Sequence, residues 1–240
     1  MPNSYFRFKE FTIHQQQAGM KVSTDSCLFG AWCAQELRSM DPVPATILDI
    51  GTGTGLLLLM LAQQSMARLE GVELDLPSFE QAVENIRLSK WNDRIQLYNQ
   101  DIRSFRSEIQ YDLIVSNPPF YESSLKSENI QRNRALHDVG LKLDELLECV
   151  EYLLKPTGFF AVLLPFQRAE PFIQMAVNSK LYLYRRMDVR QTPMHKQFRS
   201  MLLFSKKAKD LLQQEITIKD EKQHYTNDFA NLLRDYYLYL

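Results

Sequence analysis

The segment LDIGTGTGLLLLMLAQ, residues Leu48–Gln63, joins a short apolar run to a helical pattern through three glycines at alternate positions. We expect a strand at Thr46–Ile50 and a helix at Leu56–Gln64, with the chain turning at the glycines between them. In an open parallel sheet, such a unit places a ligand beyond the carboxyl end of the strand. Glycines at this turn let the backbone approach the ligand closely, although an ordinary glycine turn is the alternative.

Short apolar runs alternate with helical periodicity along the rest of the chain, which is typical of βαβ units. The last two strands have no helical pattern between them and predict an antiparallel hairpin at the sheet edge. We therefore predict an α/β fold with a seven-stranded, Rossmann-like and mostly parallel sheet. The further strands are expected at Leu69–Glu73, Ile95–Asn99, Tyr111–Ser116, Phe159–Leu164, Leu181–Val189 and Ser200–Phe204. The further helices are expected at Ser78–Ser89, with Ser78 as N-cap, and at Leu143–Leu154 and Glu170–Asn178.

The composition is typical of a globular protein, with 45% hydrophobic and 24% charged residues among 240. No run approaches the roughly 18 apolar residues of a membrane span, and the start, MPNSYFRFKEF, lacks the layout of a signal peptide. We expect a cytoplasmic protein without membrane association, acting as a monomer. The three cysteines show no CxxC spacing, so we expect reduced thiols and no metal.

Carboxylates after the second and third strands indicate which ligand the glycine loop holds. The dinucleotide fingerprint G-x-G-x-x-G fails because Leu56 stands where its last glycine belongs. Glu73 closes the second strand, where a carboxylate accepts hydrogen bonds from ribose hydroxyls of either NAD or S-adenosylmethionine. Asp101, followed by Ile102, lies where it would reach an adenine amine, or it is a solvated loop carboxylate. Together these features favour S-adenosylmethionine.

The segment DLIVSNPPF, ending in Asn117-Pro118-Pro119-Phe120, runs from a buried strand directly into two prolines and an aromatic ring. The prolines fix φ and leave their carbonyls free as acceptors, and Asn117 adds a side-chain acceptor. Two acceptors suit the two hydrogens of a planar NH₂ group, and Phe120 offers a face for stacking. Such bonds shift a conjugated amine toward a nucleophilic geometry, so positioning supplies the catalysis and no strong base is needed.

In this order, DIGTGTG, GVELD, Asp101 and NPPF resemble class I amino methyltransferases with a seven-stranded sheet. The finer resemblance is to the bacterial tRNA1(Val) (adenine(37)-N6)-methyltransferase family and covers nearly the whole chain. The loop Lys21-Val22-Ser23-Thr24-Asp25 and the aromatic tail carry it. The matching segments are FRFKEFTIHQQQAGMKVSTDSCLFGAW (Phe6–Trp32), LDIGTGTGLLLLMLAQ (Leu48–Gln63), SNPPFYE (Ser116–Glu122) and YTNDFANLLRDYYLYL (Tyr225–Leu240).

The resemblance implies methyl transfer from S-adenosylmethionine to N6 of the adenine 3′ of the anticodon in a valine tRNA. It implies that Asn117, Pro118 and Phe120 hold the amine, with Thr24–Asp25 over the cofactor. Phe120 departs from the tyrosine of many relatives, but both rings stack. The implied cofactor contacts are Thr24, Asp49, Gly51, Gly53, Glu73, Asp101, Ile102 and Asn117. We expect one domain over 1–240, in which 1–45 is an extension over the cofactor site and 206–240 a C-terminal appendage.

The net charge of −1 is low for a nucleic-acid binder, so any RNA contact would depend on local patches. Two candidate patches are a loop after the NPPF segment and a basic cluster around the expected edge hairpin. Ordinary solvated charge is the alternative reading of both. The RNA-contact candidates are Arg132, Arg134, Arg185, Arg186, Lys196 and Arg199, and Lys206, Lys207 and Lys209 follow the hairpin.

Two other functions fit parts of the pattern. NPP-aromatic loops also occur in rRNA guanine-N2, DNA adenine-N6 and protein glutamine-N5 methyltransferases, which differ mainly in appended domains. A non-catalytic RNA-binding module on the same fold is the second alternative, and the intact Gly51, Gly53, Glu73 and Asn117 argue against it.

Overall fold

The computed structural model describes residues 3–119 and 141–240 of the chain. Its strands are β1 (Tyr5–Arg7), β2 (Thr12–His14), β3 (Thr46–Ile50), β4 (Arg68–Glu73), β5 (Ile95–Asn99), β6 (Tyr111–Ser116), β7 (Leu154–Pro165), β8 (Tyr182–Arg190), β9 (Gln197–Ser205) and β10 (Leu212–Thr217). Its helices are α1 (Thr24–Ser39), α2 (Leu56–Gln64), α3 (Leu76–Arg87), α4 (Leu143–Leu153), α5 (Phe166–Asn178) and α6 (Asn227–Leu233), and Asn92–Arg94 forms one 3₁₀ turn.

Eight of the described strands form one sheet in the order β10-β8-β9-β7-β6-β3-β4-β5. All neighbouring pairs are parallel except those made by β9, which runs antiparallel to both β7 and β8. The predicted α/β class and antiparallel hairpin are therefore confirmed. The remaining pair, β1 and β2, is a small separate hairpin.

The sheet has eight strands where the sequence predicted seven. The additional strand β10 pairs in parallel with β8, so β10 and not the β8–β9 hairpin forms this edge. Its sequence LQQEIT is mostly polar and its first four residues are exposed, as suits an edge strand. The apolar alternation that identifies a half-buried strand is therefore missing from it.

Two helices begin earlier than predicted. Helix α3 starts at Leu76 because the carboxylate of Asp75 accepts hydrogen bonds from the backbone N–H and hydroxyl of Ser78. Asp75 is therefore the N-cap in place of Ser78. Helix α5 begins at Phe166, directly after β7 ends, and not at Glu170.

Both chain ends pack onto the helical layer that covers one face of the sheet. Buried aromatic rings Phe8 and Phe11 stack at 4.5 Å between centroids, and Phe8 also lies near Tyr237 of the tail. The backbone N–H of Lys9 donates to the carbonyl of Tyr236, whose own hydroxyl donates to Met60 in α2. Tyr236 and Tyr237 are thus packing residues of the core.

The described residues contain no helix long and apolar enough to cross a membrane. Among the same residues, no group of His, Cys, Asp or Glu side chains is arranged to hold a metal ion. The three cysteines are free thiols. Burial raises the pKa of Cys27 to about 12, so its sulfur stays protonated at neutral pH.

Candidate active site

The glycine loop lies in the turn between β3 and α2. Gly51, Gly53 and Gly55 have φ values of 73°, 55° and 81°, the left-handed region that favours glycine. A Cβ atom added at Gly51 or Gly53 would meet no other atom within 4 Å. The loop therefore borders open space, which leaves room for a ligand against the bare backbone.

The register of the central strands aligns three predicted site residues. Ile50 pairs with Val72 of β4 and with Ser116 of β6. Glu73 is the last residue of β4, while Gly51 and Asn117 directly follow β3 and β6. These three residues therefore fall in one row at the carboxyl edge of the sheet. Neighbouring strands lie about 4.8 Å apart, so one small molecule can contact the whole row.

Glu73 is held in place by the glycine loop itself. Its Oε2 accepts a hydrogen bond of 2.8 Å from the backbone N–H of Gly53, and its Oε1 accepts one of 2.8 Å from Asp75. Each carboxylate oxygen has a further lone pair. The carboxylate is thus fixed in orientation and retains acceptor capacity for a pair of hydroxyl groups.

Asp49 lies fully buried beneath the glycine loop. Its Oδ2 accepts a hydrogen bond of 2.7 Å from the Thr52 hydroxyl, whereas its Oδ1 is buried with no partner among the described residues. Burial raises the pKa of Asp49 to about 7; the Thr52 bond lowers it and the charge of Glu73 raises it. An unpartnered buried carboxylate oxygen in this position suits a donor group of a ligand.

Asp101 follows β5, as the sequence predicted, but its oxygens already have a partner. The guanidinium of Arg103 donates to both of them, at 3.0 Å from Nε and 2.6 Å from Nη2. The hydrogen bonds from Arg103 lower the pKa of Asp101. Arg103 was absent from the predicted site, and a ligand amine would share Asp101 with it. Ile102 beside them is buried.

Asn117 leaves β6 with its side-chain amide bound to helix α1. Its Nδ2 donates a hydrogen bond of 3.0 Å to the hydroxyl of Ser26. Pro118 is buried and Pro119 is exposed. The hydroxyl of Ser116, the last residue of β6, donates to the carbonyl of Ile50, which joins the NPP segment to the strand that carries the glycine loop.

The first turn of α1 lies at this same edge. Thr24 is exposed at the start of the helix, and Asp25 beside it accepts a hydrogen bond of 2.7 Å from Nε of Arg199. Arg199 pairs with Pro165, at the carboxyl end of β7. Asp25 and Arg199 therefore tie the start of α1 to β9, next to Asn117. No sequence pattern identifies Ser26 as a site residue, because its contact depends on the tertiary placement of α1.

The basic residues near the hairpin do not form one patch. Arg185 lies 3.5 Å from Glu36 of α1, while Arg186 lies 3.5 Å from Glu170 of α5, on the opposite face of the sheet. Consecutive residues of a strand point to opposite faces, so these two arginines are separated. Arg186 also pairs with Asp188 and its side chain is only 12% exposed.

The ends of the hairpin separate the remaining cations. Lys196 is exposed in the β8–β9 turn, just before the β9 residue Arg199, at the carboxyl edge of the parallel strands. Lys206, Lys207 and Lys209 follow the other end of β9, where Ser205 pairs with Phe159. Lys209 nevertheless lies 4.8 Å from the ring centre of Tyr184, over which Arg185 also lies, so this lysine is close to one of the hairpin arginines. Phe120, Arg132 and Arg134 lie outside the described residues.

Known structures share this fold. An Agrobacterium tumefaciens protein assigned as an O-methyltransferase matches with a TM-score of 0.66, at 14% identity, over 88% of this chain and 96% of that chain. A Listeria monocytogenes protein assigned to the class I S-adenosylmethionine-dependent methyltransferases matches with a TM-score of 0.60, at 15% identity, over 82% of this chain and 68% of that one. These likenesses show that this chain has the fold of the class I methyltransferases.

Sequence relatives identify the family to which this chain belongs. The family model for the methyltransferase small domain matches residues 34–138. The tRNA1(Val) (adenine(37)-N6)-methyltransferase of Phocaeicola vulgatus is 39% identical over 99% of both chains. The protein of the same name from Trichodesmium erythraeum is 40% identical, also over 99% of both. This chain belongs to the tRNA1(Val) (adenine(37)-N6)-methyltransferase family, and the resemblance seen in the sequence is confirmed.

Proposed function

We propose that this protein transfers a methyl group from S-adenosylmethionine to the exocyclic N6 amine of an adenine in tRNA, at position 37 of a valine tRNA. The observation that carries the proposal is the row at the carboxyl edge of the sheet. There, the acceptor side chain of Asn117 stands two strands from Glu73, with the glycine loop between them. Relatives named for this activity match nearly the full length of the chain.

The residues around the glycine loop fit S-adenosylmethionine. The left-handed glycines leave open space for it, the carboxylate of Glu73 suits its ribose hydroxyls, and the unpartnered Oδ1 of Asp49 suits a donor such as its ammonium group. We assign Thr24, Asp101 and Ile102 to the same site. When bound, this cofactor supplies a methyl group on an electron-poor sulfonium.

Asn117 and Pro118 provide the acceptors for the target amine. Because Nδ2 of Asn117 already donates to Ser26, its Oδ1 is the atom left to face a substrate. A bond from the amine to Oδ1, and a second to the carbonyl of Pro118, would fix the amine and free its lone pair. The nitrogen would take the methyl group as its bond to sulfur breaks, which would leave S-adenosylhomocysteine. The proton lost from the nitrogen would pass to water after the new bond has formed, so these acceptors and not a strong base carry the catalysis. Phe120 is proposed to stack on the base.

The tRNA is proposed to approach the carboxyl edge of the sheet, where Lys196 and Arg199 lie. An unstacked loop adenine costs less to capture than one in a duplex. Arg185, Arg186 and Arg199 are weaker candidates than Lys196 because acidic partners already neutralise them. Arg132 and Arg134 stay proposed contacts.

The extension 1–45 is proposed to cover the cofactor site and 206–240 to be an appendage of the same domain. In support, the side-chain amide of Asn85 in α3 joins the extension to the glycine loop. It accepts from the backbone N–H of His14 and donates both to the carbonyl of His14 and to the carbonyl of Thr54 in the loop. We also propose that the protein acts in the cytoplasm as a monomer, and its mass in solution tests the oligomeric state.

Comparing methyl acceptors tests the substrate assignment. Purified protein with radiolabelled cofactor is offered unmodified valine tRNA, the same tRNA with guanine at position 37, an isolated anticodon stem-loop, a single-stranded DNA and a translation release factor. We expect label in the adenine-bearing tRNA and none in the guanine variant. Faster labelling of DNA or of the release factor would overturn the tRNA assignment, and no labelling of any acceptor would favour a non-catalytic binding role.

A further inference from the structure

We propose that Ser26 is a positioning residue that sets which atom of the Asn117 amide faces the substrate. The proposal rests on the proposed function, because the substrate is the amine that Asn117 is to hold. Ser26 lies in the first turn of α1, far from Asn117 in sequence, and its hydroxyl is 3.0 Å from Nδ2 of Asn117. Ser26 is only 9% exposed, so few water molecules can compete for the hydrogen bond between its hydroxyl and Asn117.

A chain of hydrogen bonds extends from Ser26 to an ion pair. The hydroxyl oxygens of Ser26 and Ser23 are 2.8 Å apart, and the Ser23 hydroxyl donates to Oδ1 of Asp25. The second oxygen of Asp25 accepts from Nε of Arg199 at 2.7 Å. Asn117, directly after β6, is thereby connected through α1 to β9.

The carboxylate at the end of this chain determines the direction of every bond in it. An ionised Asp25 only accepts, so the single hydroxyl proton of Ser23 is committed to it. The contact between the two serines then requires the Ser26 hydroxyl to donate to Ser23. Ser26 has no proton left for Asn117 and is an acceptor toward it, which demands the NH₂ group and not the oxygen of the amide at that position.

The consequence for catalysis is a fixed amide. If the Asn117 amide rotated by half a turn, its Oδ1 would face the lone pairs of Ser26 and one hydrogen bond of the chain would be lost. With Nδ2 bound to Ser26, Oδ1 is presented on the other side as an acceptor for a substrate amine. An amide in the opposite orientation would present donors to a group that itself donates, and would repel it.

Single-turnover methylation of tRNA tests the coupling between the two residues. We expect Ser26→Ala to slow transfer about tenfold, as loss of one net hydrogen bond predicts, with unchanged cofactor affinity. In an Asn117→Ala background the same change should slow transfer no further. Ser39→Ala is the matched control, since Ser39 ends the same helix and, among the residues that the structure describes, its hydroxyl bonds only to the carbonyl of Glu36. An equal loss in both backgrounds would mean that Ser26 acts only through general stability, and the proposal would be wrong.

A second readout needs no activity and so separates this proposal from the proposed function. The side-chain amide of Asn117 is assigned by nitrogen-15 NMR, from the signal pair missing in Asn117→Ala. Ser26→Ala should shift one of its two protons upfield and speed that proton's exchange, whereas Ser39→Ala should change neither. An Asn117 signal pair that does not respond to Ser26→Ala overturns the positioning role, even in a protein that methylates tRNA. A responding pair in a protein that methylates no tRNA supports it and contradicts the proposed function.

Discussion

Replacing Glu73 by alanine tests the cofactor site. Each oxygen of its carboxylate already accepts one backbone N–H at 2.8 Å, from Gly53 and from Asp75, so the group is oriented before any ligand binds. A hydrogen bond to an ionised group contributes roughly 1.5–3 kcal/mol. Two such bonds to the ribose hydroxyls would contribute at least about 3 kcal/mol, and Glu73→Ala should raise the Kd for S-adenosylmethionine by ~100-fold or more.

Glu73→Gln separates the charge of this side chain from its shape. A glutamine carries one oxygen and one NH₂ group, but it faces two N–H donors, so one of the two backbone bonds is replaced by a donor–donor contact. We therefore expect glutamine to recover little of the affinity that alanine loses. Glu80→Ala, at an exposed position on the neighbouring helix α3, is the matched control and should bind like the unaltered protein.

Calorimetric titration with S-adenosylmethionine measures these affinities, and thermal melting without ligand checks that each variant is folded. A folded Glu73→Ala protein with an unchanged Kd would refute the reasoning. It would move the ribose contact to another group, of which Asp75 is the nearest carboxylate in sequence.

Three further predictions concern the same edge of the sheet. Asn117→Ala should reduce single-turnover methyl transfer by on the order of 10²–10³ while leaving the calorimetric cofactor Kd nearly unchanged; equal losses in both would make Asn117 a cofactor residue only. Burial raises the pKa of Asp49 in the folded protein to about 7. The protonated Asp49 carboxyl therefore makes its full contribution to the free energy of unfolding below the unfolded-state pKa, and this contribution is lost as the pH rises through 7. The isosteric Asp49→Asn should therefore gain stability relative to the unaltered protein between pH 4 and pH 7, by more than about 1.4 kcal/mol in urea unfolding without cofactor, and a constant difference would contradict this. Lys196→Glu should weaken tRNA binding and lower its salt dependence by about one unit of slope, whereas Lys209→Glu, beyond the opposite end of β9, should bind tRNA normally; equal effects would place the RNA elsewhere.

The central part of the fold could be predicted because local patterns and one topological rule determine it. Strands β3, β4, β5 and β6 begin or end within one residue of their predicted bounds. Since parallel strands share a carboxyl edge, the alignment of Gly51, Glu73 and Asn117 followed from their positions after strands. The polar edge strand β10 lacks the alternation of apolar and polar residues that identifies a half-buried strand, so it was not predicted.

Side-chain partners were harder to predict because they depend on tertiary placement. The contact of Ser26 with Asn117 requires α1 to lie across the end of β6, and no sequence period indicates that. The separation of Arg185 from Arg186 could have been predicted from the sequence, since residues adjacent in a strand point to opposite faces. The predicted basic patch assumed that cationic residues close together in the sequence are also close together in the structure.

Nucleoside mass spectrometry of tRNA tests the central claim most directly. Valine tRNA is purified from a strain lacking the gene for this protein, from its parent, and from the deletion strain complemented with the unaltered protein or with Asn117→Ala. We predict N6-methyladenosine at position 37 in the parent and in the strain complemented with the unaltered protein, and unmodified adenosine in the other two. Full methylation of that adenine in the deletion strain would contradict the account.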